Sequence, residues 1–178
     1  AVAVLVAGQA RAETWKIDPS HSSVGFSVRH LMVSNVRGEF TKFSGTVVYD
    51  EKAPEKSSME AVIDVASINT RDAKRDEHLR GPDFFDAEKH PTITFKSTAV
   101  RFDGDRPVAV DGDLTIKGVT KPVTLTVTSF QAKPHPMTRK EAIGANATTR
   151  IKRSDFHMGK NAPFVSDDVT LSIAVEAI

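Results

Sequence analysis

From Thr14 onward the chain alternates apolar and polar residues with a period of two. Val24, Phe26 and Val28 stand against Ser23, Ser27 and Arg29. Ala61, Ile63 and Val65 stand against Glu60 and Asp64, and Ile93 and Phe95 against Thr92, Thr94 and Lys96. Gly45, Val47 and Tyr49 extend a strand that begins near Arg37. Val108, Val110, Leu114 and Ile116 share one face, and Val123, Leu125 and Val127 alternate with threonines. Ile143, Ala145, Ala147, Thr149 and Ile151 share another, and Val169, Leu171, Ile173 and Val175 close the chain. This is the signature of half-buried strands rich in β-branched residues.

Asp103-Gly104 reads as a tight hairpin turn, and Gly118 with Pro122 marks another. Asp111-Gly112 stays inside a strand, because a turn there would leave only five residues before it; a glycine in such a place marks a bulge or sharp coil. Eight or nine strands with short connections form an antiparallel meander. Several run long enough to curl, and closure into a barrel removes their edges. An eight-stranded barrel is either filled by its side chains or holds one small ligand. The inward faces carry Val, Ile, Leu, Ala and Phe. Ala145, Ala147, Gly45 and Gly112 are small, which leaves room inside unless larger residues opposite fill it.

One passage breaks the pattern. Arg71 to Pro91 reads RDAKRDEHLRGPDFFDAEKHP and predicts a short charged helix over about 70–80. Asn69 or Thr70 is the expected cap, with Asp72 near the positive end and Gly81-Pro82 as the stop. Asp76 and Arg80 are spaced for an ion pair, as are Asp72 and Arg75. Only Ala73 and Leu79 are apolar, so burial does not hold this helix; it reads as a clamp tied to the barrel wall. If Phe84 and Phe85 lie in an extended segment, one points inward and one outward.

Composition narrows the function. The 178 residues fit one domain, and 24 Lys and Arg against 23 Asp and Glu leave a net charge of +1. No basic stripe with interleaved aromatics marks a nucleic-acid partner. There is no cysteine, which excludes disulfides and thiolate chemistry. The apolar run Ala1 to Gly8, followed by Ala10-Arg11-Ala12, resembles the end of a secretory signal peptide cleaved after Ala12, with residues 13–178 as the mature domain. It is too short to span a bilayer, so stable membrane insertion is not expected. Export without disulfides suits a bacterial periplasm. An apolar leader, if ordered, should dock against the barrel or in a neighbour's tunnel.

The candidate chemistry is sparse. His21, His30, His78, His90 and His157 show no metal-ligand spacing, and structural hydrogen bonds suit them better. Ser20-His21-Ser22 lacks a nucleophile elbow. Asp76, His78 and Arg80 would need burial to serve as acid and base. Neither a metal, a cofactor nor a catalytic set is expected.

The passage RDAKRDEHLRGPDFFDAEKHPTITF resembles the signature of the YceI-like proteins, a lipocalin-like family of exported bacterial proteins. WKIDPSHSSVGFSVRHL, FSGTVVYDE, DGDLTIKGVTKPVTL and SDFHMG resemble it too, in order from Glu13 to Ile178. The long proline-containing hairpin near Lys133 to Arg139 is the one departure. The resemblance implies an all-β fold, an extended eight-stranded antiparallel lipocalin-like barrel crossed by one helix. It implies non-enzymatic carriage or storage of an isoprenoid or fatty amphiphile, and it allows a homodimer. On that reading the tunnel is expected to be lined by Phe84 and Phe85, by Leu31 and Met32 at a mouth loop, and by Phe40 and Phe43 around a bulge. Phe156 and Phe164 flank a second loop, and Leu79 lies under the helix. Phe26, Val28, Ile63, Phe95, Leu114, Ile116, Leu125 and Ala147 supply the inward faces. A polar head would rest near Arg29, Arg71 or Arg75. Two other readings stand beside this: a packed barrel acting through its surface, with the helix charges essential, and a lipid-modifying enzyme with a polar cluster inside.

Overall fold

The computed structural model describes residues 12–50 and 52–178. The apolar run Ala1 to Gly8, and the docking expected of it, lie outside the described residues. Eleven strands make one antiparallel sheet: β1 (Glu13–Lys16), β2 (Ser23–His30), β3 (Ser34–Phe40), β4 (Phe43–Tyr49), β5 (Ser58–Asp64), β6 (Ile68–Asn69), β7 (Thr92–Asp103), β8 (Arg106–Ile116), β9 (Val119–Pro134), β10 (Glu141–Lys152) and β11 (Val165–Ala177).

The expected eight staves are present, three of them bent into two segments. β1 runs into β2, β3 into β4, and β5 into β6. The first bend is a 3-10 turn at Pro19–His21 and the third one at Val65–Ser67. The second is the break at Thr41 and Lys42 where a single bulged strand was expected. Each bent stave pairs with its neighbour on both sides of its bend: β1 with β4, β2 with β3, β4 with β5, and β3 with β6. β11 then pairs with β2 along Ser23 to Val28 and continues past the bend to a bridge between Ile17 and Ala177. The sheet therefore closes, and no long edge is left open.

The turns follow the local chemistry. Gly104 (φ +66°) lies in the β7–β8 hairpin, and Lys117 with Gly118 (φ +51° and +75°) makes the β8–β9 hairpin. Pro122 is not part of that turn; it pairs with Asp113 inside the ladder. Gly112 stays in its strand, opposite a bulge between Ser97 and Ala99.

The helix, α1 (Ala73–Arg80), is shorter than expected and capped by Asp72, which accepts from the Arg75 backbone N–H at 3.0 Å. Neither expected ion pair forms. Asp76 is buried and accepts from the Thr70 N–H (2.8 Å) and hydroxyl (2.5 Å). Arg75 donates to the Thr70 hydroxyl and carbonyl, and Arg80 to the carbonyls of Ala66 and Ile68. The clamp is therefore made of hydrogen bonds to the wall rather than of surface charges attracting one another. No helix among the described residues is long and apolar enough to cross a membrane.

Two apolar regions occupy the interior. The larger is built on Phe40, Ile63, Val65, Ile68, Ile93, Phe95, Leu114, Ile116, Leu125, Phe156 and Met158. The smaller is Trp15, Ile143 and Ala177 with Tyr49, Phe130, Val47 and Val175 around them.

Candidate functional site

All connections at one end of the barrel gather around an opening. The β2–β3 hairpin, α1, the segment from Gly81 to His90, the Lys117-Gly118 turn and the loop after β10 meet there. Inside lies a cavity of about 390 Å³, within the size range of small-molecule sites. Its wall is apolar apart from Thr149 and one group of polar side chains, His30, Thr70, Arg75, His78, Arg153 and Asn161, which cluster at this end. The opposite end is shut by the smaller core. Trp15 and Tyr49 have ring centroids 6.2 Å apart, Tyr49 and Phe130 5.5 Å apart, and the Trp15 indole donates to the Glu141 carbonyl. Val175 belongs to both the cavity wall and this aromatic floor.

Most of the residues singled out from the sequence meet on the cavity. Phe26 and Val28 reach it from β2, Phe40 from β3, Phe43 from β4, Ile63 from β5 and Phe95 from β7. Leu114 and Ile116 come from β8, Leu125 from β9 and Leu79 from α1. Phe84 and Phe85 both line it, against the one-in, one-out expectation, because Phe84 sits in a turn rather than an extended strand. Phe84 packs on His78, and Phe85 meets Phe40 edge to face at 5.8 Å.

The other five lie elsewhere. Phe156 is 1% exposed and part of the solid core, in the 3-10 turn Arg153–Phe156 that follows β10. Ala147 packs against that core without reaching the cavity. Leu31, Met32 and Phe164 stand in solvent on the rim, 53%, 76% and 69% exposed. The small residues also act differently from expectation. A Cβ on Gly112 would lie 2.5 Å from the Phe95 ring, and one on Gly45 would lie 2.7 Å from Ile17 Cδ1. Both gaps are already filled.

The rim is tied together by polar contacts with no counterpart in the sequence pattern. Asp83 joins Lys160 (2.6 Å) to His78 (3.2 Å), which links the loop after β10 to the helix. Lys160, and after it His78, hold the Asp83 carboxyl below its ordinary range. Lys117 donates to the carbonyls of Pro82 and His157. Arg153 is buried and donates to the carbonyls of Ser166, Met158, Lys160 and Val165, which fixes that loop from inside. Burial lowers its pKa.

Among the described residues one titratable cluster lies away from the cavity. The bend between β1 and β2 brings Asp18 and His21 together at 2.7 Å, and Glu176 of β11 joins them with ligand atoms within 4.8 Å. His21, then Ser20, lower the Asp18 pKa to about 2. The exposed pair is turn chemistry on the outer wall. Asp18 and His21 are spaced i, i+3, a signal available in the sequence; the approach of Glu176 is not.

An antiparallel barrel around an apolar cavity with a polar rim is a lipocalin-like fold. The chain belongs to the YceI-like domain family, which it matches over residues 15–177. It is 40% identical to Protein YceI of Escherichia coli O157:H7 over 174 residues, 97% of this chain and 90% of that protein. Its fold is similar to that of Burkholderia cenocepacia BcnA, with a TM-score of 0.77 and 30% identity, over 91% of this chain and 99% of that one. A polyisoprenoid binding domain from Saccharophagus degradans shares the fold at a TM-score of 0.68 and 15% identity, over 94% of this chain and 98% of that one.

Proposed function

We propose that this protein carries or stores an amphiphile with an isoprenoid or fatty chain, bound without covalent chemistry and released unchanged. The observation that carries this is the cavity: about 390 Å³ of apolar-walled space with its polar groups confined to the mouth. A packed barrel working only through its surface has no use for such a space. The polyisoprenoid binding domain of Saccharophagus degradans, which has the same fold, supports an isoprenoid as one ligand of this shape.

The volume sets the buried length. An apolar cavity of about 150 Å³ takes one benzene, about 25 Å³ per carbon. At that rate about 390 Å³ takes about fifteen carbons, three isoprene units or an acyl chain of that length. Each methylene contributes about 0.8 kcal/mol, so such a chain gains about 12 kcal/mol before the cost of immobilising it. Longer chains would leave their excess outside the mouth or displace the aromatic floor. The head group rests among Arg75, His78 and His30, which line the opening. Arg29 and Arg71, the other candidates, do not line it, and Arg29 is turned to the Met32 carbonyl. The leader-like Ala1 to Gly8 and the absence of cysteine support a periplasmic site of action.

Native mass spectrometry of the protein as purified, followed by organic extraction, tests this reading. The expected result is one co-purifying amphiphile per cavity. A protein that arrives empty and takes up no amphiphile of about ten carbons or more would refute it.

A further inference from the structure

The rim of the cavity carries a feature that ligand binding alone does not explain. Leu31, Met32 and Val33, the whole tip of the β2–β3 hairpin, are 53%, 76% and 81% exposed, and Phe164 beside them is 69% exposed. The two segments are in contact, since the Leu31 N–H donates to the Phe164 carbonyl at 2.7 Å. Leu31 and Met32 sit at φ +49° and +60°, a left-handed conformation that bulky residues avoid. Nothing buries them in return. Clustered exposed apolar side chains of this kind mark a surface that meets something.

The charge around the patch says what it meets. Residues 29–37 and 157–166, which hold the four apolar side chains, contain Arg29, Arg37 and Lys160 and no Asp or Glu; Asp167, which follows in β11, is taken up by the Ser154 N–H and hydroxyl. Among the described residues only Lys160 of these is in an ion pair, with Asp83. Apolar tips framed by cations match an anionic lipid surface, where the tips enter the headgroup boundary and the cations meet the lipid phosphates. The patch is also continuous with the cavity opening, because His30, Asn161 and Val165 line the cavity and flank the exposed residues in the chain.

We propose that Leu31, Met32, Val33 and Phe164 dock the mouth of the barrel on an anionic membrane, so that the amphiphile passes between bilayer and cavity without crossing water. This rests on the proposed ligand-binding reading for its purpose, though not for its geometry. The test is co-sedimentation of the full chain with phosphatidylglycerol-containing vesicles at low salt, beside phosphatidylcholine vesicles. Met137, 89% exposed on the β9–β10 hairpin at the other end of the barrel, supplies the control. The expected result is binding to the anionic vesicles that falls tenfold or more in L31S/M32S/F164S, falls severalfold in R37E, and is unchanged in M137S. All these positions are exposed, and circular dichroism checks that each variant folds. Equal binding by the triple variant and the parent would overturn the proposal. So would a parent that dimerises in sedimentation equilibrium while the triple variant stays monomeric, which would make the patch a contact between two copies. If vesicle docking holds while the protein arrives empty and takes up no amphiphile of about ten carbons or more, the ligand-binding reading fails and the docking surface stands.

Discussion

The two ends of this barrel are made from the same alternating strands and do opposite things. At one end Trp15, Tyr49, Phe130 and Ile143 fill the lumen, with Trp15 8% and Ile143 3% exposed. At the other end residues of the same apolar character surround empty space. The difference lies in what the opposing staves contribute. In the floor, Tyr49 of β4 and Phe130 of β9 meet across the lumen at 5.5 Å, with Trp15 of the adjacent β1 packed beside Tyr49 at 6.2 Å. Around the cavity the aromatics are drawn aside: Phe95 lies over Gly112, and Phe85 packs edge to face on Phe40. Apolar character therefore decides that a residue faces inward, and the size of its cross-lumen partners decides whether a hole remains.

The largest expected effect separates the two ends by stability. Trp15→Ala should cost about 3–5 kcal/mol in urea unfolding, the range for a buried aromatic. Phe85→Ala should cost no more than about 2 kcal/mol, since part of its surface already faces a void. Equal losses would mean that the cavity wall is as tightly packed as the floor.

Adding volume reverses the contrast. Ala177 is fully buried in the floor, whereas Ala61 lines the cavity. Ala177→Phe should lose about 1–3 kcal/mol through overpacking. Ala61→Phe should keep stability within about 1 kcal/mol while weakening ligand binding at least tenfold, read by displacement of a fluorescent fatty acid. The same substitution would then harm folding at one end and binding at the other.

Opening the floor should shift ligand length. In Phe130→Ala the wall between floor and cavity is thinned, and native mass spectrometry of a mixture of acyl chains should show the favoured length rising by a few carbons. An unchanged length profile would show that the floor does not set the limit.

The smallest effect lies outside both regions, at the bend joining β1 to β2. The lowered Asp18 pKa contributes stability that is present above the ordinary value of 3.8 and lost as pH falls from there through about 2. The His21 pKa is raised from 6.5 chiefly by its hydrogen bond to Asp18, so its contribution is present at lower pH and lost as pH rises through the raised value. An NMR titration should place the His21 midpoint above 6.5, and Asp18→Asn should bring it back down.

Alternation along the chain was enough to expect a barrel of eight or nine strands and to turn the residues from Phe26 to Leu125 inward, because facing inward is a local property of a pleated strand; the count of eight and the open tunnel came from the resemblance to the YceI-like family. Of the three bends only the one at Thr41 and Lys42 was anticipated, as a bulge between Phe40 and Phe43; the 3-10 turns at Pro19–His21 and Val65–Ser67 left no mark in the alternation. Charge spacing misled the reading of α1: Asp76 and Arg80 are four apart, yet each is turned to the wall, one to Thr70 and the other to Ala66 and Ile68. Leu31, Met32 and Phe164 were expected near the mouth and are there, but apolar character could not show that they face outward. The emptiness of Gly45 and Gly112 was misjudged because each is filled from a neighbouring stave.

The central claim is that a cavity of limited depth binds one apolar chain, and a chain-length series tests it most directly. Isothermal titration with fatty acids or prenyl alcohols of increasing length should show affinity rising up to about fourfold per added methylene, then levelling near fifteen carbons. Affinity that is independent of length, or that keeps rising well beyond that point, would contradict the account.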